Sequence, residues 1–263
     1  MILIFTALIC VAGCNKDDNN GAAKTKTFVL VHGSWQAAYV WDSVKAQLER
    51  SGATVITVEL PAHGTDTTSP LAVSMTAYRD KVIQAMSGHN GKVILVGHSM
   101  GGVVVSEVAE KIPAQVEKLI YIGAFVPANG QSLLYLSSLD KQSHLGASIV
   151  PADGGLTLDI LHDSIVPVFC QDAPASTQQL VLSKFRPEPA IPFGDTVKLS
   201  DTNWGKVDKY YIHTTQDNAI GIDLQNRMVA TAHITKVYSL NTSHCPFLSR
   251  PDDVTSLLLQ IAK

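Results

Sequence analysis

Charge is scarce in this chain. Asp, Glu, Lys and Arg make up only 16% of its 263 residues, the formal net charge is −3, and no run of Lys or Arg occurs. The basic patch that nucleic acid needs is missing, so nucleic acid is excluded as a partner. Neither a Walker pattern nor G-x-G-x-x-G is present, so no nucleotide or dinucleotide is indicated and no cofactor is expected. The four cysteines, at positions 10, 14, 170 and 245, are unclustered. They offer neither a zinc-ligand spacing nor a disulfide framework, and no metal is expected. What remains is apolar: hydrophobic residues make up 46%, which describes a folded globule with a substantial core. The length suits one domain, with room for an insertion.

The amino terminus reads separately. Met1 to Gly13 is apolar but too short to span a bilayer, and it ends in Val11-Ala12-Gly13-Cys14. This resembles a bacterial lipobox, which implies a signal peptide over 1–13, cleavage before Cys14 and lipidation of that cysteine. No Lys or Arg precedes the apolar run, a departure from such leaders. Residues 14–25 are polar and read as a tether. The expectation is an exported lipoprotein, periplasmic or anchored at the outer membrane or cell surface, that meets the membrane only through its lipid.

The folded domain, residues 26–263, is organised around Lys92–Val105. Val93 to Val96 is a β-branched run of the kind buried on both faces of a sheet. Gly97-His98-Ser99-Met100-Gly101 then fits G-x-S-x-G, followed by an apolar helical stretch. A strand turning sharply into a helix strains Ser99 and exposes its hydroxyl, while the Met100 N–H beside the helix N-terminus is placed to stabilise an oxyanion. Thr27–Val31 is an earlier strand ending at His32-Gly33-Ser34-Trp35, and the Ser34 N–H is the candidate second donor. Helices are predicted over Val40–Arg50, Met75–Met86, Ile220–Thr231 and Asp252–Ile261. Strands are predicted over Thr54–Glu59, Val116–Ile122, Tyr210–Thr214 and Thr235–Leu240. This alternation gives a mostly parallel α/β sheet flanked by helices.

Between about residues 127 and 202 the rhythm breaks at repeated prolines. This stretch reads as an inserted, mainly helical cap that selects the substrate and leaves the chemistry to others. Asp217 follows a late strand, where an acid belongs. Asp208 lies at the wrong end of its strand and Asp223 inside a helix; Asp195 and Asp201 compete by residue type alone. His244 is placed past the last strand, and His63, in a loop beside Gly64, reads as structural. Ser99, Asp217 and His244 thus stand in an order that supports nucleophilic catalysis: His244 takes the Ser99 proton and Asp217 stabilises the imidazolium.

Five segments, Phe28–Trp41 (FVLVHGSWQAAYVW), Glu59–Gly64 (ELPAHG), Gly97–Gly102 (GHSMGG), Tyr211–Ile220 (YIHTTQDNAI) and Ser243–Pro251 (SHCPFLSRP), resemble one branch of the α/β-hydrolases. That branch holds plant methylesterases, hydroxynitrile lyases and bacterial carboxylesterases. The resemblance implies Ser99, Asp217 and His244 as the triad and Ser34 and Met100 as the oxyanion hole. It implies hydrolysis of a small-molecule carboxylic ester, lactones included. The branch often has glycine and tryptophan where this chain has Ala38 and Tyr39, which puts the shape of the entrance in question. Its lyases carry Lys after the histidine, where this chain has Cys245. The rival readings are such a lyase and a low-turnover binding protein on the same fold.

Overall fold

The computed structural model describes residues 25–263. The leader 1–13, Cys14 and nearly all of the tether lie outside the described residues. Chain order begins with β1 (Thr27–Val31), α1 (Asp42–Arg50), β2 (Thr54–Val58), α2 (Met75–Ala85), β3 (Val93–His98), α3 (Gly101–Lys111) and β4 (Val116–Ile122). The predicted helix over 40–50 is in fact two pieces, a 3-10 turn at Ala38–Trp41 and then α1. Ser74 caps α2 by accepting from the Ala77 N–H at 3.1 Å. Every residue of β3 is buried, as a central strand covered on both faces requires.

The cap follows, with α4 (Leu133–Ser138), β5 (Ile149–Ala152), β6 (Thr157–Ile160), α5 (His162–Phe169), α6 (Ala175–Lys184), β7 (Glu188–Pro189) and α7 (Ile191–Gly194). It is mainly helical, and it also carries a small antiparallel sheet in the order β5-β6-β7 that the sequence reading did not include. These strands are two to four residues long and hold Pro151 and Pro189. Neither length nor alternation marks them. The chain then returns to the core through β8 (Asp208–Thr214), α8 (Ile222–Thr231), β9 (Lys236–Leu240), α9 (Pro246–Ser249) and α10 (Pro251–Ala262).

The main sheet has six strands in the order β2-β1-β3-β4-β8-β9, all paired in parallel. Right-handed crossovers put α1 on one face and α2, α3 and α8 on the other. The packing agrees, with α1 against α10 and α2 against α3. Among the described residues no helix is long and apolar enough to cross a membrane.

Glu110, near the end of α3, fastens the returning cap. Its carboxylate accepts from the Ser200 N–H (2.9 Å) and hydroxyl (2.8 Å), the Trp204 N–H (3.1 Å) and Asn203 Nδ2 (3.2 Å). Burial opposes the charged form, but these donors outweigh it and hold the carboxyl below its ordinary value of 4.5. Glu110→Ala should therefore cost about 1–2 kcal/mol in urea unfolding at neutral pH. A depressed carboxyl stabilises the fold above its unfolded pKa and loses that contribution as pH falls through the folded value. The deficit of the variant should shrink accordingly in acid; a deficit that stays constant well below pH 4.5 would refute the assignment.

Candidate active site

Strand order places the site. β1 and β3 are neighbours, yet the chain leaves β1 towards β2 on one side and β3 towards β4 on the other. Their carboxyl-end loops diverge and open a crevice, the position where parallel α/β sheets bind ligands. His32–Trp35 enters it from β1, and Ser99 and Met100 from β3.

The turn after β3 is tight. Ser99 has φ of 53°, a left-handed conformation that strains any residue but glycine. A Cβ on Gly97 would stand 2.6 Å from the Gly101 carbonyl oxygen, and one on Gly101 would stand 2.7 Å from that of His32. The Ser99 carbonyl accepts from Gly102 N (3.0 Å) and Phe125 N (3.1 Å). Ser99 keeps 8% exposure in a cavity of about 370 Å³ lined by Ser34, Phe125, Leu133, Leu145 and Phe193 among others. A larger cavity of about 460 Å³, around 126–129, 199–209 and 231–236, contains no residue of this cluster. The Ser34 hydroxyl contacts Met100 Sδ at 3.2 Å, so the two candidate donors stand side by side. Among the described residues neither of their peptide N–H groups donates to a protein acceptor.

Asp217 lies three residues past β8. Its Oδ1 accepts from Ala219 N and Ile220 N at 2.8 Å each, and its Oδ2 accepts from the Thr214 hydroxyl at 2.7 Å and from His244 Nδ1 at 2.8 Å. Because Ala219 and Ile220 give their N–H groups to this side chain, α8 begins at Ile222 rather than at the predicted Ile220. With Nδ1 donating to a carboxylate, Nε2 of His244 is left as the acceptor. The structure brings Asp217 and His244 into direct contact. Ser99 Oγ makes no hydrogen bond to His244; the two are linked through His98, the chain neighbour of Ser99, whose Nε2 donates to the His244 carbonyl at 2.9 Å. Asp208, by contrast, pairs with Lys236 at 2.8 Å on the exposed side, and Asp223 is in α8.

Three residues of the site were missed in the sequence. His98 is fully enclosed, and burial first, then the repulsion it would meet from a protonated His244 ring, pushes its pKa well below 6.5. It is therefore a neutral donor to the His244 loop. Phe169 and Asp172 come from the cap. The Phe169 carbonyl accepts from Cys245 N at 3.1 Å, and Asp172 accepts from Ser243 N at 3.0 Å and from the Ser243 hydroxyl. The cap thus grips the backbone on both sides of His244, a role beyond the substrate selection expected of it. No periodicity points to such contacts, which join backbone groups to single side chains. The Cys245 thiol is fully buried, and desolvation pushes its pKa well above 9.0. Among the described residues no three His, Cys, Asp or Glu side chains gather to hold a metal ion.

Comparison with known proteins agrees with this architecture. Candidate methylesterase 11, chloroplastic, of Arabidopsis thaliana is 32% identical over 91% of this chain, which spans 65% of that relative's length. Methylesterase 7 of the same plant is 28% identical over 94% of this chain and 98% of its own. Among solved structures, polyneuridine aldehyde esterase superposes with a TM-score of 0.82 at 23% identity, covering 91% of this chain and all of the other. A pyrethroid hydrolase from Sphingobium faniae JZ-2 does so with 0.79 at 25% identity, covering 90% and 97%. The sequence signature of the alpha/beta hydrolase family matches residues 28–257, nearly the whole described chain, and the protein belongs to that family.

Proposed function

We propose that the protein is a serine hydrolase of small carboxylic esters, in which Ser99 is the nucleophile, His244 the general base and Asp217 the acid that orients it. The observation that carries this reading is the strained Ser99 at the β1/β3 crevice, whose chain neighbour His98 holds the loop of His244, a histidine with Nδ1 committed to a buried carboxylate. Ser99 Oγ attacks the ester carbonyl as its proton passes to His244 Nε2, through a hydrogen bond made when substrate is bound. The tetrahedral oxyanion takes hydrogen bonds from Ser34 N–H and Met100 N–H, each worth roughly 3–4 kcal/mol of barrier, with the N-terminus of α3 adding its dipole. His244 then protonates the departing alcohol, and water cleaves the acyl-enzyme by the same steps in reverse.

The apolar lining of Phe125, Leu133, Leu145 and Phe193 favours an ester with an apolar acyl or alcohol part, as do relatives named as methylesterases and a pyrethroid hydrolase. A lactone would open through the same acyl-enzyme and release a hydroxy acid. The lyase alternative suffers from Cys245, whose buried neutral thiol offers cyanide no positive charge. A binding protein on this fold remains the rival of another class, and sustained turnover distinguishes it. Export and lipidation at Cys14 are part of the same proposal.

Ser99→Ala should fold and lose roughly 10⁴–10⁶ of turnover across a panel of esters and lactones followed by product mass spectrometry. Retention of a tenth of wild-type hydrolysis, or a wild type that never turns over, overturns the reading. Asp217→Asn should lower kcat by about 10⁴, while Asp208→Asn stays within about twofold, as exposed ion pairs contribute little; the reverse ranking reassigns the acid. Intact-mass analysis of the membrane fraction should give a chain that starts at an acylated Cys14. An unmodified Cys14 would refute the anchor.

A further inference from the structure

We propose that Glu188, in the cap strand β7, is a positioning residue for the oxyanion-binding turn, holding Trp35 so that the Ser34 N–H faces the reacting carbonyl. This goes beyond the assignment of Ser34 as donor and rests on it.

Trp35, next in the chain to Ser34, has φ of 61°, a conformation that only its surroundings can impose on a bulky side chain. The cap supplies those surroundings at every polar group Trp35 has. Its N–H donates to Glu188 Oε2 at 2.9 Å, its carbonyl accepts from Arg186 N at 3.2 Å, and its indole N–H donates to the Leu158 carbonyl at 2.8 Å. Leu158, in β6, is the register partner of Glu188. The segment 186–188 and the neighbouring β6 therefore satisfy all three groups. Its ring is packed against Phe169, Phe185 and Phe193, with centroids 5.7–6.4 Å away.

Glu188 itself is completely buried and anchored to the core. Oε2 also accepts from His63 Nε2 at 2.7 Å, and Oε1 from the Tyr78 hydroxyl at 2.8 Å. His63 Nδ1 faces the Pro61 carbonyl at 2.9 Å, so both ring nitrogens donate and the ring is an imidazolium. Burial works against that charge, but the Glu188 carboxylate, its hydrogen bond and the Pro61 carbonyl outweigh it and raise the His63 pKa. The other ionisable neighbours leave the pair intact. His32 sits 4.9 Å away ring to ring and is neutral, its pKa lowered to about 3 by burial and then by His63. Arg186 is turned to the carbonyls of Gly64 and Asp66 at 2.6 and 3.1 Å. The Tyr78 hydroxyl stays protonated, because burial and then the Glu188 charge raise its pKa. A buried ion pair thus fixes the carboxylate whose remaining capacity sets the Trp35 peptide, the unit that follows the Ser34 donor.

Two near-isosteric changes separate reach from charge. Glu188→Gln keeps the length: its carbonyl oxygen still meets Trp35 N–H and His63, and its amide meets the Tyr78 hydroxyl, while the ion pair is lost. Glu188→Asp keeps the charge but withdraws the carboxylate by about 1.5 Å. With rates expressed per Ser99 site titrated by a fluorophosphonate, Glu188→Gln should melt at a lower temperature yet retain kcat within about threefold. Glu188→Asp and Glu188→Ala should lose about 10- to 100-fold of kcat on a short ester with KM nearly unchanged, the signature of an interaction made only in the transition state. A poorly folding Glu188→Ala leaves the Gln and Asp pair to decide. Wild-type kcat in Glu188→Asp, a Gln variant as impaired as the Asp variant, or losses confined to KM would each overturn the proposal. Failure of the wild type to label at Ser99 would overturn the serine mechanism instead, so the two failures are distinguishable.

Discussion

Where the turn after β3 crosses the turn after β1, the two backbones lie so close that a Cβ on Gly33 would stand 2.6 Å from Ser99 Cβ, and one on Gly101 2.7 Å from the His32 carbonyl. This contact is the constraint from which the remaining geometry follows. It forces Ser99 into a left-handed conformation, sets Met100 at the start of α3, and presses Ser34 against Met100. Two parallel strands that wind in opposite directions can bring their loops this near only at a switch point, and the sheet has that switch between β1 and β3. Small residues here are steric requirements of the junction.

Around that junction three histidines differ in protonation by environment alone. His32 accepts from Leu60 N and gives its other nitrogen to the Gly33 carbonyl, so it is neutral. His98 is neutral and supports the His244 carbonyl. His63 is charged against Glu188. His244 directs Nδ1 to Asp217 and keeps Nε2 for a proton. Burial opposes charge on His32, His98 and His63 alike, and His63 alone of the three faces a carboxylate that outweighs it.

The core of this arrangement was legible in the sequence because its signals are local. The β3 run and the glycine spacing each occupy a few adjacent residues, Asp217 and His244 stand out by their places just past β8 and β9, and the elements found differ from those expected by a residue or two. The cap was legible only as an interruption. Glu188 stands between Pro187 and Pro189, and β7 is two residues long, so no pattern of period two can reveal it. Its partners Trp35 and His63 lie 153 and 125 residues away. The His63 assignment as structural agrees with its buried pairing, but a carboxylate opposite it has no trace in the neighbouring letters. Phe169 acts through a backbone carbonyl, which any residue possesses.

The grip of the cap on both the Trp35 and the His244 turns has a kinetic consequence. Parallel strands already require distant parts of the chain to meet, and the cap contacts to residues 35 and 63 add closures of more than a hundred residues. Such closures cost entropy before they are rewarded and slow folding. Until those contacts are made, nothing from the cap holds Trp35 at its strained φ. The strained φ of Trp35 thus depends on the docking of β6 and β7.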